Sequence, residues 1–126
     1  MMTDEEHIRH TIASFCQALD DRRFQDWANT FTEDGVFGRS NGRAEILANI
    51  LKGELATIPE LRRKHTVTNA IIDVHGDTAD SVSDLVMFDR TGDGPWTIRV
   101  GQYTDRLVRR DGGWLFAERK LVWVGE

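Results

Sequence analysis

The sequence has few residues that would cross-link the chain or interrupt it. Its 126 residues include one cysteine, Cys16, and two prolines. A single cysteine excludes a disulfide framework or a cysteine-rich metal site formed within the chain. No Ser/Gly/Pro-rich stretch marks a linker, and no segment is repeated. We therefore expect one domain that spans residues 1–126.

The sequence also lacks the signals of several protein classes. No apolar run approaches the roughly 20 residues that cross a membrane, and Met1 to Glu6 lack the basic and apolar regions of a signal peptide. The predicted location is therefore cytoplasmic. The net charge is −5 and the strongest basic run is Arg62 to Lys64, so no nucleic-acid surface is expected. No His/Asp/Glu cluster has metal-ligand spacing and no glycine-rich phosphate loop follows a strand, so we predict neither metal nor cofactor.

The first half of the chain has helical periodicity. Thr3 and Glu6 match a capping box, and apolar residues then recur at helical spacing to about Asp20 or Asp21. These residues are Ile8, Ile12, Phe15, Cys16 and Leu19. A second short helix is predicted to present Phe24, Trp27 and Phe31, and Val36–Phe37 is a short predicted strand after a turn. A third helix follows Gly42, with a buried stripe predicted to comprise Ile46, Leu47, Ile50 and Leu51.

After Pro59 the pattern changes to alternation, which is typical of strands. The predicted strands are Lys64–Val74, Ala79–Phe88, Trp96–Arg109 and Trp114–Val124, and turn residues separate them. Helices followed by a run of antiparallel strands predict an α+β fold with the helices on one face of a curved sheet. An apolar cavity between helices and sheet would be the default ligand site.

Two distant residues suggest a catalytic pair. Asp20 ends the first helix, where the helix dipole disfavours an acid. His65 begins the first long strand, in which alternation predicts that it shares one inner face with Val67, Asn69 and Ile71. A carboxylate can orient an imidazole, and an oriented imidazole can act as a general base. Two other interpretations stay open: a structural histidine bonded to a backbone carbonyl, and an Asp20 that faces solvent. Asp21 competes for the same role, and we expect it to be the solvated residue.

Seven segments in order carry a resemblance to a known family. They are Phe15–Asp20, Trp27, Phe31–Gly35, His65–Asn69, Gly76–Ala79, Gly101–Asp105 and Arg110–Phe116. In this order they resemble the SnoaL-like branch of the nuclear transport factor two-like superfamily. The resemblance implies a cone-shaped α+β barrel, in which three N-terminal helices pack on a strongly curved mixed or antiparallel sheet around an apolar cavity.

Within that branch, the scytalone dehydratase, hexachlorocyclohexane dehydrochlorinase and bile-acid dehydratase group pairs a helix-end aspartate with a strand histidine. Asp20 and His65 match these positions, and Phe37 matches a pocket aromatic of the dehydrochlorinase. Scytalone dehydratase has a tyrosine at the position of Leu19 and an asparagine at that of Tyr103. These departures leave the acid that would protonate a leaving group unassigned.

The resulting hypothesis is a cofactor-independent lyase or isomerase that acts on a small apolar cyclic molecule, with Asp20 and His65 as its catalytic pair. The candidate substrate-binding residues are Phe15, Leu19, Trp27, Phe37, Asn69, Tyr103 and Arg119. Tyr103 has an alternative role in core packing, and Asn69 in a structural hydrogen bond. For Arg119 the alternative is a cross-strand pair with Asp84, Asp105 or Glu118. The alternative functions are a non-catalytic binding protein with the same cavity and an oxygenase accessory subunit.

The strands carry apolar residues on both faces, for example Ile71 beside Ile72 and Val122 beside Trp123. A sheet with one solvated face would alternate more cleanly. SnoaL-like relatives commonly pair through this surface, so the resemblance also implies a partner there. We therefore predict a symmetric homodimer through the sheet, with one cavity in each subunit.

Overall fold

A computed structural model describes residues 1–126 and contains four helices and six strands. The helices are α1 (Asp4–Asp20), α2 (Phe24–Ala28), α3 (Arg43–Ile50) and α4 (Glu54–Thr57). The strands are β1 (Phe31–Phe37), β2 (Ser40–Asn41), β3 (Leu61–His75), β4 (Thr78–Thr91), β5 (Thr97–Arg110) and β6 (Gly113–Trp123). They form one curved mixed sheet in the order β2-β1-β6-β5-β4-β3, in which β1 and β6 are parallel and the other pairs antiparallel.

Local signals define both ends of α1. The Thr3 hydroxyl accepts from the Glu6 backbone N–H at 3.1 Å, and the Glu6 carboxylate accepts from the Thr3 N–H at 3.0 Å, which completes the predicted capping box. At the other end, Arg22 has a left-handed φ of 59°. The Arg23 N–H donates to the Ala18 carbonyl at 2.8 Å, as in a Schellman motif. Asp20 is therefore in the last turn of α1.

Phe15 of α1 is at the centre of the core and is fully buried. Five aromatic rings lie 5.5 to 6.1 Å from its ring centre, in tilted or edge-to-face arrangements. They belong to Trp27, Phe31, Phe37, Tyr103 and Phe116. Such pairs stabilise a core by roughly 0.5–1.5 kcal/mol each beyond the area they bury. This cluster fixes α1 against α2, β1, β5 and β6.

The first half of the chain differs from the sequence prediction at three points. Phe31 is a buried residue of β1 rather than a helical residue, because it pairs in parallel with Phe116 of β6. Leu51 is about half exposed (49%), since α3 ends at Ile50 and only Ile46 of that helix is fully buried. The single turn α4 makes four helices where three were predicted. The cone shape remains a prediction.

A β-bulge in β3 changes which residues face the helices. The pairing with β4 shifts register between Thr68 and Ile71, and Asn69 has a φ of 57°. A bulge adds one unpaired residue and so reverses the side-chain alternation beyond it. Ile71 is consequently 63% exposed, although alternation from His65 predicted it on the inner face. None of the four helices combines the length and hydrophobicity that a membrane crossing requires.

Candidate functional site

The structure brings Asp20 and His65 into direct contact. The Nδ1 atom of His65 is 2.5 Å from Oδ1 of Asp20, and the backbone N–H of His65 donates to Oδ2 at 3.0 Å. Only 4% of the Asp20 side chain and 5% of the His65 side chain is exposed. Both carboxylate oxygens therefore bond to one residue, which fixes the imidazole relative to the helix end. Asp21, the competing acid, is exposed beside Arg23.

This contact fixes the expected tautomer of the imidazole. An ionised carboxylate only accepts hydrogen bonds, so the proton of a neutral His65 is on Nδ1 and the lone pair is on Nε2. Nε2 of His65 has no hydrogen-bond partner in the protein. It is not among the fully buried side-chain atoms that lack a partner, which belong to Trp27, Ser81, Ser83 and Arg119. The Lys64 ammonium lies 3.6 Å from Oδ2 of Asp20 and adds a positive charge beside the carboxylate.

His65 lines a cleft of about 260 Å³ between α1 and β3, which we name the lateral cleft. Its other lining residues are Arg9, Ile12, Ala13, Cys16, Gln17, Val67 and Ala70. Burial raises the pKa of the Cys16 thiol to about 11, so this side chain is a neutral, weakly polar part of the wall at neutral pH. The lateral cleft therefore contains one imidazole within a mainly apolar lining.

A second cleft, of about 290 Å³, has no ionisable side chain in its lining. We name it the aromatic cleft, and its residues are Trp27, Phe37, Gly38, Ser40, Ile46, Asn49, Ile50 and Leu121. Two of the predicted substrate-binding residues, Trp27 and Phe37, line this cleft and not the lateral cleft. The predicted site is thus divided between two separate surfaces.

Three further predicted binding residues are buried in the core: Phe15, Tyr103 and Arg119. Arg119 is fully buried, and its Nε donates to Oδ1 of Asp105 at 2.9 Å. Asp105 is one of the three cross-strand partners considered for it. The guanidinium carbon is 3.5 Å from the centre of the Tyr103 ring and 4.3 Å from that of Phe15. Burial raises the pKa of the Tyr103 hydroxyl and of the Asp105 carboxyl, although the positive charge of Arg119 opposes both shifts.

The remaining two predicted binding residues lie elsewhere. Leu19 is a buried residue of α1, with 6% exposure. Asn69 is exposed and donates to Oδ2 of Asp84 at 2.8 Å. The prediction that Asn69 shares the face of His65 is wrong, because Asn69 lies at the bulge. Its alternative role, a structural hydrogen bond, describes what the structure contains.

The sequence reasoning missed the helix residues that line the lateral cleft. Ala13 and Gln17 are four residues apart, as are Cys16 and Asp20, so these two pairs lie along neighbouring rows of α1. Extending the helical rows backward from Asp20 would have identified them. Across the chain, no group of three or more His, Cys, Asp or Glu side chains is arranged to hold a metal ion.

Comparisons with known proteins agree with this fold. A family model described as a SnoaL-like domain matches residues 1–120. An NTF2-like protein with a cystatin-like fold from Novosphingobium aromaticivorans is 26% identical, with a TM-score of 0.87 over 97% of this chain and 82% of that chain.

Two further solved structures have the same fold, and one of them contains a small molecule. A protein from Catenulispora acidiphila, solved in complex with S-DNPA, is 27% identical, with a TM-score of 0.82 over 93% of this chain and 90% of its own. A candidate scytalone dehydratase from Novosphingobium aromaticivorans is 25% identical, with a TM-score of 0.82 over 93% of this chain and 81% of its own.

Proposed function

We propose a catalytic function for this chain, which belongs to the SnoaL-like domain family. The proposed function is that of a cofactor-independent lyase or isomerase acting on a small, largely apolar cyclic molecule. The observation that carries this proposal is the 2.5 Å contact between Asp20 and His65 at the wall of an apolar cleft. Family membership alone would not name a reaction, because one fold supports many functions.

The proposed chemistry starts at Nε2 of His65. A substrate in the lateral cleft presents a C–H bond beside an electron-withdrawing group, and Nε2 removes the proton as a general base. Asp20 keeps the other ring proton on Nδ1 and stabilises the imidazolium that forms, as the carboxylate of a serine-protease triad does. Return of the proton at another carbon would isomerise the substrate, and loss of a leaving group would complete an elimination.

The lining of the lateral cleft indicates what the substrate would look like. Ile12, Ala13, Val67 and Ala70 favour an apolar body, and a volume of about 260 Å³ favours a compact one. Besides the histidine and the thiol, the hydrogen-bond donors of this lining are Gln17 and Arg9. The Nε and Nη2 atoms of Arg9 already donate to Glu5. Gln17 therefore best suits an oxygen acceptor on the substrate, such as the carbonyl that would acidify the C–H bond. The similar protein solved in complex with S-DNPA supports the binding of a small molecule.

A second candidate function is non-catalytic binding of an apolar ligand. The observation that favours it is the aromatic cleft, which offers Trp27, Phe37 and aliphatic neighbours but no ionisable group. Rings stack or pack well on such walls. A ligand that binds only there would be stored or presented rather than converted.

Hydrogen exchange in D2O tests the first proposal without knowledge of the product. Cyclic ketones that raise the melting temperature would be incubated with the protein in D2O, and deuterium at the acidic carbon would be followed by NMR. Enzyme-dependent exchange that is lost in His65→Gln and retained in Asp21→Asn is the expected result. Equal exchange in the parent and in His65→Gln would disprove the role of His65 as base.

We also propose a homodimer through the outer face of the sheet, defined by Ile71, Val82, Ile98, Val100 and Val122. All five are at least 37% exposed. The register places Ile71 opposite Val82, so these side chains are neighbours on one face. The pairings along β4, β5 and β6 keep the other three residues on the same face, and burying exposed apolar side chains is favourable. Sedimentation should show a dimer that Val122→Glu converts to monomer, and a monomeric parent at micromolar concentration would contradict the proposal.

A further inference from the structure

Arg22 follows the last turn of α1 and makes an unusual set of contacts. Its φ of 59° is in the left-handed region, which glycine adopts more easily than an L-residue with a side chain. Its Nε donates to the carbonyl of Leu55 at 3.1 Å, and its Nη2 donates to the carbonyl of Leu61. A glycine would make the same turn with less strain. What the arginine adds is these two hydrogen bonds.

The two carbonyls belong to the segment that leads to His65. Leu55 is in α4 and Leu61 is the first residue of β3, and both are nearly fully buried. Arg22 is two residues after Asp20, and Leu61 is four residues before His65. The guanidinium therefore joins the helix end that carries the carboxylate to the strand start that carries the imidazole.

The charge of Arg22 has no acidic partner. No carboxylate lies within ion-pair distance of it, whereas its neighbour Arg23 pairs with the exposed Asp21 and Asp26. Arg22 is partly buried and its donors point to backbone, while Arg23 is exposed. The two adjacent arginines thus differ in role: one is a surface ion-pair residue and the other links two segments of backbone.

We propose that Arg22 is a positioning residue, which holds the start of β3 against the end of α1 so that Asp20 and His65 stay in contact. Asp20 and His65 are 45 residues apart in sequence, so the loops between them do not fix their distance. The catalytic consequence of this inference rests on the proposed function, but the geometric consequence does not. A base displaced by about 1 Å loses roughly 10²-fold in rate.

The test measures the tautomer of His65 by long-range ¹H–¹⁵N NMR, with the resonance assigned through His65→Gln. In the parent, His65 is expected in the Nδ1–H form. Arg22→Gly keeps the left-handed turn and removes the guanidinium, so we expect a mixture of tautomers with a melting temperature near that of the parent. Arg22→Lys keeps the charge without the forked donors and should give an intermediate mixture. Arg23→Ala is the matched control and should leave the tautomer unchanged.

The outcomes separate this inference from the proposed function. Parent-like tautomer populations in Arg22→Gly would overturn it, and so would a change that appears only with global unfolding in both Arg22 variants. If the tautomer shifts in Arg22→Gly while no probe shows exchange in D2O even with the parent, Arg22 positions the pair and the proposed catalysis fails. A parent His65 without the Nδ1–H form would overturn both.

Discussion

The lateral cleft and the aromatic cleft have similar volumes, about 260 and 290 Å³, and both have mainly apolar linings. They differ in ionisable groups, because the lateral cleft contains His65 with its buried carboxylate partner and the aromatic cleft contains none. Size and hydrophobicity therefore do not indicate where chemistry would occur in this protein. What indicates it is the position of Asp20 at the end of α1, in contact with His65.

Helix α1 lines the lateral cleft and contacts two residues that line the aromatic cleft. The ring of Phe15 contacts Trp27 and Phe37, which line the aromatic cleft. The next residue, Cys16, lines the lateral cleft. Successive residues of a helix point about 100° apart. Phe15 and Cys16, in one turn of α1, therefore contact the aromatic cluster and the lateral cleft respectively. A ligand in the aromatic cleft would contact none of the residues that line the lateral cleft with His65.

The largest expected effect is that of Asp20→Asn. The amide can donate to Nδ1 and so favour the tautomer in which Nε2 is protonated and cannot act as base. General-base catalysis contributes roughly 10²- to 10⁴-fold, so deuterium exchange at a substrate carbon should fall by a factor in that range. Binding to the aromatic cleft should not change. A small loss equal to that of Asp21→Asn would mean that the two clefts do not differ in chemistry.

The next largest effect concerns the buried pair between Arg119 and Asp105. Arg119→Met leaves an unpaired buried carboxylate, which typically destabilises a protein by about 3–5 kcal/mol. Burial already raises the pKa of Asp105, so the unpaired carboxyl can take up a proton as the pH falls. The destabilisation measured by urea unfolding should therefore be smaller at mildly acidic pH than at neutral pH. A loss of stability that is independent of pH would contradict this explanation.

A smaller effect is expected from blocking one cleft at a time. Ala13→Trp places a large side chain in the lateral cleft, and Asn49→Trp does the same in the aromatic cleft. Diethyl pyrocarbonate, which modifies accessible imidazoles, should react severalfold more slowly with His65 in Ala13→Trp only. His7, His10 and His75 serve as references within the same sample, read by mass spectrometry. Slower modification in Asn49→Trp would show that His65 is reached from the aromatic side.

The smallest effect is expected at the start of α1, far from Asp20. Arg109 donates to both oxygens of Asp4, and the Trp114 indole donates to one of them. These hydrogen bonds, that from Arg109 most, hold the pKa of Asp4 below its usual range. A lowered folded-state pKa stabilises the protein above the unfolded-state value, and this stability is lost as the pH falls through the folded value.

Asp4→Asn should therefore lower the melting temperature slightly at neutral pH and not at all in strong acid. His65 modification should be the same as in the parent. If His65 became more reactive in this variant, the position of the Asp20 end of α1 would depend on the contacts of Asp4 at its start.

The sequence allowed prediction of the features that local patterns determine. The capping box located the start of α1, its apolar period located its end near Asp20, and alternation placed His65 and Val67 inward. It could not reveal features that depend on distant pairing. Phe31 is a strand residue because of Phe116, and Asn69 faces outward because of a bulge that alternation does not signal.

The division into two clefts is of the same kind. Trp27 and Phe37 were both candidate substrate-binding residues, and the resemblance matched Phe37 to a pocket position. The packing of Phe15 that separates them from His65 depends on five rings from four other elements. No short-range pattern encodes that arrangement. The contacts of Arg22 with Leu55 and Leu61 were equally invisible, since they join segments more than 30 residues apart.

The parallel pairing of β1 with β6 has a consequence for the order in which the molecule folds. Phe31 must meet Phe116, and contacts so distant in sequence slow folding because a long loop has to close first. Helix α1 packs on both β3 and β6. A chain still being synthesised can therefore contain Asp20 and His65 before β6 is available to hold α1, which carries Asp20, in place. The last strand to be made would therefore control when the site first exists.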